Sequence, residues 1–180
     1  MKKLLMTSLI LCFALLQANA QIFSEGENVA GLGIGFGGNL YSGYYGTGIS
    51  RIPALSFSYE RCVKDNLWDE NSSIGVGGLL GYASASTSYW KSSNVIIGAR
   101  GALHYAFVEN LDTYTGLMLG YDIVSFKWKD EAWNIGGASS SGFTWSWFVG
   151  ARYYFNESFG AFAELGYGIA VLNLGASLKF

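Results

Sequence analysis

The sequence predicts an antiparallel, up-and-down, eight-stranded transmembrane β-barrel, and three observations predict it. The chain has 25 glycines, a single proline, 17% aromatic and only 13% charged residues, against about 25% charged in an ordinary soluble domain. After residue 27 nearly every segment alternates with period two, as a strand with two unlike faces does. Beyond the N-terminus no apolar run approaches the roughly 18 residues of a membrane helix. This composition disfavours disorder, a helix-rich enzyme and a nucleic-acid-binding arm.

The N-terminus reads as an export signal. Lys2 and Lys3 form a basic start, Leu4 to Leu16 an apolar stretch, and Ala18-Asn19-Ala20 a small-x-small cleavage site, so residues 1–20 are expected to leave and the mature domain to span 21–180, starting at Gln21. Cys12 departs with them, leaving Cys62 without a disulfide partner. Loss of Lys2 and Lys3 leaves nine basic residues against 13 acidic ones, a net charge of −4. Mild acidity without a basic cluster points away from nucleic acid as a partner.

The strands follow in order, with breaks where Gly, Asn, Asp and Ser gather: 28–38, 52–61, 73–83, 93–108, 112–127, 143–155, 159–168 and 172–180. Their two faces differ in kind. The fourth strand sets Val95, Ile97, Leu103, Tyr105 and Phe107 against Asn94, Ile96, Gly98, Arg100, Ala102 and His104. The sixth sets Trp145, Trp147, Val149 and Tyr153 against Ser146, Phe148, Gly150 and Arg152, and the fifth Leu117, Leu119 and Tyr121 against Gly116, Met118, Gly120 and Asp122. A soluble barrel would turn the apolar face inward and leave a glycine-lined face in water, where glycine weakens the strand and packs nothing. With the apolar face against lipid, the glycines line a narrow lumen and leave room for a few large polar side chains.

Aromatics and connection lengths agree with that orientation. With the N-terminus placed on the periplasmic side, outward Tyr59, Tyr105, Phe107, Tyr153, Phe155, Phe159 and Phe180 fall near the lower strand ends. Tyr82, Tyr121, Trp145, Trp147 and Tyr167 fall near the upper ends, giving the two interfacial girdles of a membrane barrel. Lower turns at Asn110 and at Asn156-Glu157 are tight, whereas 39–51, 84–92 and 128–142 are longer and polar. The lower turn 62–72 is long for its side, and the upper connection near Ala170 is short.

The inward face carries Glu60, Arg100, Asp122, Arg152, Glu164 and Lys179, three charges of each sign, together with His104. Hairpin geometry around Asn110 and Glu157 sets Arg100 diagonal to Asp122 and Arg152 diagonal to Glu164, within reach of long side chains. Glu60 and Lys179 are expected near the periplasmic mouth, in contact with solvent. Two readings follow: ion pairs that plug a narrow barrel, or a gate on an ion or proton path. The plug is favoured, because eight strands enclose only a side-chain-filled interior and an unpaired buried charge costs several kcal/mol.

Catalytic and cofactor motifs are weak. A deacylase needs a serine activated by histidine, and the sole histidine, His104, has no serine near it in the strand pattern. The spelling Gly33-Ile-Gly35-Phe-Gly37-Gly38 resembles a dinucleotide loop but opens no helix. Asn71-Ser-Ser73 and Asn156-Glu-Ser158 match glycosylation sequons in spelling only. One histidine and one remaining cysteine do not build a zinc site. No catalytic residue, metal or cofactor is expected.

The upper loops hold Tyr41, Tyr44 and Tyr45, then Tyr89 and Trp90, then Trp128 and Trp133, among Gly and Ser. That is the composition of adaptable binding surfaces and equally of side chains resting in a headgroup zone.

With leader, strands and the closing Leu178-Lys179-Phe180 read, the chain resembles the small outer-membrane β-barrels typified by OmpA and OmpX. Its tail from Glu164 to Phe180 looks like the versions found in Bacteroidetes. The resemblance implies the outer membrane, lipid and lipopolysaccharide as surroundings, and Phe180 as the signal read by the barrel-assembly machinery. It is specific for architecture and not for activity. The expected function is a monomeric, plugged, non-enzymatic barrel serving envelope integrity, or binding an extracellular ligand through its loops. A small diffusion pore is the alternative, and a lipid A-modifying enzyme the third reading.

Overall fold

Period-two alternation becomes eight strands in the computed structural model, which describes residues 23–37, 49–129, 141–167 and 170–180. They are β1 (Asn28–Phe36), β2 (Ser50–Asp65), β3 (Ser72–Ser86), β4 (Trp90–Val108), β5 (Leu111–Trp128), β6 (Gly142–Tyr154), β7 (Phe159–Tyr167) and β8 (Leu172–Lys179). Each pairs antiparallel with its sequence neighbour, and β8 closes on β1, so the sheet is a complete up-and-down barrel. Closure removes the two exposed edges an open sheet would carry. Reciprocal backbone bonds between Asn28 and Phe180, each 2.9 Å, finish the seam at the lower end.

The faces sort as the alternation predicts. Leu32, Phe57, Ile97, Leu117, Leu119, Trp145 and Leu165 are exposed, while Ile96, Arg100, His104, Met118, Phe148 and Arg152 are buried inside. Outward rings pair within each girdle: Tyr105 with Phe107 and Tyr153 with Phe155 below, Trp145 with Tyr167 above. An outer belt this apolar matches a lipid-facing barrel surface.

The inward glycines make space for particular neighbours. A Cβ on Gly150 would sit 2.7 Å from the Tyr114 ring, one on Gly175 2.6 Å from the Phe162 ring, and one on Gly75 would collide with the Glu60 carboxylate. The lumen is partly apolar, with the inward-reading Ile96, Met118 and Phe148 inside. Leu79, Ile96, Tyr114, Met118 and Phe148 form a cluster in its middle, so aliphatic and aromatic packing shares the interior with the charges.

Three connections differ from expectation. The segment 84–92 is mostly ladder, with Ser84, Ala85 and Ser86 opposite Ser93, Ser92 and Lys91. Only Thr87–Tyr89 turns, held by Thr87 N–H to Trp90 O at 2.9 Å and Trp90 N–H to Thr87 Oγ1 at 3.2 Å. Its small polar residues read as a loop because polarity marks exit from lipid, not exit from the sheet. Likewise β2 runs on to Asp65 through a bulge after Cys62, shortening the first lower turn to 66–71. The β4–β5 hairpin turns at Glu109-Asn110, with Asn110 at φ +64° and a bulge at Ala106/Val108. This sets Arg100 opposite Met118 in place of Gly120. A two-residue slip preserves facing, so inward residues stay inward.

Candidate functional site

Seven inward side chains from five strands meet in the lower and middle lumen. Glu60 comes from β2, Arg100 and His104 from β4, Asp112 and Tyr114 from β5, Arg152 from β6 and Glu164 from β7. All lie in the buried class. Four of them close a ring: Glu60 Oε1 to His104 Nε2 at 2.7 Å, His104 Nδ1 to Asp112 Oδ1 at 2.9 Å, Asp112 Oδ2 to Arg152 Nη1 at 3.0 Å, and Arg152 Nη2 to Glu60 Oε2 at 3.7 Å. Each His104 nitrogen faces a carboxylate, and an ionised carboxylate only accepts. With both carboxylates ionised, both nitrogens donate, His104 is an imidazolium, and the ring carries no net charge.

Above the ring a second group centres on Glu164. Arg100 Nη2 donates to its Oε1 at 2.8 Å, Tyr114 Oη donates to the same oxygen at 2.9 Å, and Asn173 Nδ2 reaches Oε2 at 3.5 Å. The Arg100 guanidinium lies 4.1 Å over the Phe148 ring and that of Arg152 4.9 Å over the Tyr114 ring. Tyr114 thus ties the two groups together, its face under one cation and its hydroxyl on the other cation's carboxylate.

The expected partners are exchanged. Arg100 meets Glu164 and not Asp122, and Arg152 meets Asp112 and Glu60 and not Glu164. In so narrow a barrel long side chains converge toward the axis and bond across the lumen, so neighbour-strand diagonals do not limit them. Asp122 is instead bonded by Asn94 Nδ2 at 2.9 Å. Glu60 is buried in the ring and out of contact with solvent. Lys179 stays near the mouth, 3.5 Å from Glu27 and 5.1 Å over the Tyr154 ring.

Asp112 and Tyr114 escaped the sequence reading although they share the parity of Gly116 and Asp122, which marks them as inward. Phe23 escaped because it precedes the first strand. It is buried in the lower mouth, 4.7 Å centroid to centroid from His104, with Cys62 Sγ donating to its carbonyl at 3.5 Å. A turn at Gly26, φ +92°, brings it there, and Gly26 N–H to Cys62 O at 3.0 Å and Cys62 N–H to Glu27 O at 2.9 Å anchor it.

Ser73 is the cross-strand partner of His104, so a serine does stand beside the histidine. Both ring nitrogens are nevertheless held by carboxylates, which leaves His104 no lone pair with which to activate a hydroxyl. Of the loop aromatics, Tyr41, Tyr44, Tyr45 and Trp133 lie outside the described residues, as do residues 1–20. Tyr89 is exposed at a hairpin tip. Trp90 and Trp128 are cross-strand partners that pack through Phe126, 5.6 and 5.2 Å between centroids. Phe180 is exposed at the closing seam.

No family model and no curated protein matches the chain. Among solved structures, the chain is similar to the N-terminal β-barrel domain of Pseudomonas aeruginosa OprF, with a TM-score of 0.54 and 12% identity over 87% of this chain and 98% of that one. It is also similar to Ail, the attachment invasion locus protein of Yersinia pestis, solved with the heparin analogue sucrose octasulfate, with a TM-score of 0.53 and 12% identity over 87% and 99%. The architecture is that of the small eight-stranded outer-membrane barrels.

Proposed function

We propose that this chain is a non-enzymatic barrel of the bacterial outer membrane whose lumen is closed, and that it acts through its envelope-facing surfaces and extracellular rim. The observation that carries the reading is the buried ring of Glu60, His104, Asp112 and Arg152 beneath the Arg100–Glu164–Tyr114 group. Every charge in it faces an opposite one, and the cavity lined by Arg100, Met118, Phe148 and Glu164 has about 40 Å³, room for a few waters. Such a core stiffens the barrel and supports a closed lumen. The held state of His104 supports a non-catalytic role. Two upper connections, 37–49 and 129–141, are longer than any lower turn, which supports an orientation with the end bearing Phe180 in the periplasm.

The test is single-channel recording from the refolded chain starting at Gln21 in a planar bilayer, after a heat-modifiable gel shift establishes folding. The expected record is silent. Reproducible discrete steps would overturn the closed lumen and make the charged residues pore-lining groups.

A further inference from the structure

Three aromatic side chains stand on the inner face of the tallest part of the wall. Trp90, Phe126 and Trp128 share the parity of the inward Asn94 and Asp122, so they face the lumen side, unlike the lipid-facing Tyr121, Trp145 and Trp147. The β5–β6 ladder ends at Asp122–Gly142 and the β6–β7 ladder at Trp147–Tyr167, whereas β4 and β5 stay paired up to Trp90–Trp128. Among the described residues β5 therefore runs six residues past its last partner on β6, about 20 Å of strand.

The three rings form a corner. Trp90 and Phe126 lie 5.6 Å apart with 28° between their planes, and Trp128 stands at 84° to Phe126 with centroids 5.2 Å apart. Trp128 is exposed and the other two are half-buried. The corner is held in place before any ligand arrives, because Lys129 N–H donates to Tyr89 O at 2.8 Å and Lys129 Nζ to Thr87 O at 2.6 Å, tying the two hairpin ends together. Four residues below Phe126, about 13 Å along β5, the same face turns polar. Asn94 Nδ2 donates to Asp122 Oδ2 at 2.9 Å, and Asp122 Oδ1 has no hydrogen-bond partner among the described residues. An ionised carboxylate only accepts, so this floor calls for a donor.

We propose that Trp90, Phe126, Trp128 and Asp122 bind a neutral oligosaccharide of about two or three pyranose rings whose hydroxyls are equatorial. Such a sugar offers C–H bonds on its flat faces and hydroxyl donors around its edge. The C–H groups carry slight positive charge and suit the electron-rich faces of the aromatic rings, while an edge hydroxyl donates to the Asp122 carboxylate in a charge-assisted bond. A chain of that length spans the distance from corner to floor. The Asp122 charge disfavours an acidic saccharide, and a purely apolar ligand would leave the carboxylate unused. The proposal deepens the reading of an extracellular rim and rests on it, because only that orientation turns this face to sugars outside the cell.

The test titrates the refolded chain, in micelles of a sugar-free zwitterionic detergent, with cellotetraose, N-acetylchitotetraose, sulfated cellotetraose and the open-chain polyol sorbitol, and reads binding by calorimetry and saturation-transfer NMR. Insertion into bilayers and conductance are scored separately. At least one of the two neutral tetrasaccharides should bind, with saturation transfer strongest at its ring C–H protons, and sorbitol should not. Trp128→Ala should weaken that binding about tenfold, and Trp128→Tyr should recover most of it. Asp122→Asn should weaken it about fivefold, while Trp145→Ala on the lipid-facing side leaves it unchanged. The heat-modifiable gel shift of each variant separates lost binding from lost folding. Binding that survives Phe126→Ala combined with Trp128→Ala overturns the site. Equal binding of sorbitol overturns stacking as its basis, and tighter binding of the sulfated sugar overturns the neutral class. Failure to insert, or a conducting barrel, overturns the closed outer-membrane reading, whereas an inserted, silent barrel that binds neither neutral tetrasaccharide overturns this proposal alone.

Discussion

Arg100 on β4 and Glu164 on β7 meet across the lumen, Nη2 to Oε1 at 2.8 Å, although three strand-to-strand steps separate them around the wall. Each is buried, and the carboxylate is shared with Tyr114. Removing one partner of such a pair strands the other charge and costs about 3–5 kcal/mol. Arg100→Ala and Glu164→Ala should each lower the free energy of unfolding, measured by urea titration, by about that amount, while Arg100→Met combined with Glu164→Leu should recover most of the loss. A single variant as stable as wild type would mean that the pair is hydrated and the lumen open.

His104 makes a different prediction because it stands between two carboxylates. In His104→Gln the side chain no longer brings a charge to the Glu60–Asp112 pair, and stability should fall by about 3 kcal/mol. Adding Asp112→Asn rebalances the ring, so the double variant should lose less than the sum of the single losses. Nitrogen NMR of labelled His104 should show both ring nitrogens protonated at neutral pH. A neutral tautomer would break the ring as described.

The reach of the sequence differs between wall and interior. Which residues face in and which face out follows from period two, and even the two-residue slip of the β4–β5 hairpin left Arg100 and Asp122 on the expected face. Who bonds to whom inside was hidden, because Arg100 chooses among all inward groups at its height and sequence distance carries no information about that. Asp112 is visible by parity, because it shares the face of Gly116 and Asp122. Phe23 carries no strand pattern, and only the turn at Gly26 reveals that it folds back into the mouth.

A methyl on Gly150 meets the Tyr114 ring at 2.7 Å, whereas one on Gly78, on the lipid-facing side of β3, lies 3.5 Å from its nearest neighbour, Gly98 O, an ordinary contact. Gly150→Ala should destabilise by about 1–3 kcal/mol through overpacking, and Gly78→Ala should be neutral or slightly stabilising. Comparable melting temperatures for the two would remove the case that inward glycines exist to seat Tyr114 and its neighbours.

Among the described residues, Phe23 packs at the lower end of the charged ring in one cluster with Val29 and Cys62. Its ring lies against His104, and its carbonyl receives the buried Cys62 thiol. In the chain starting at Gln21, Cys62 is the sole cysteine, so its reaction with a maleimide reports directly on this stopper. Truncating a buried phenylalanine removes about 3 kcal/mol or more of local packing, and every 1.4 kcal/mol of easier opening is about a tenfold faster reaction. Phe23→Ala should therefore label Cys62 at least about tenfold faster than wild type, while the heat-modifiable gel shift persists because all eight strands remain paired. Fast labelling of the wild-type chain would show that the mouth stands open without any substitution. Slow labelling in both would place the seal on β1 and β2 themselves, through Val29 packed against Cys62.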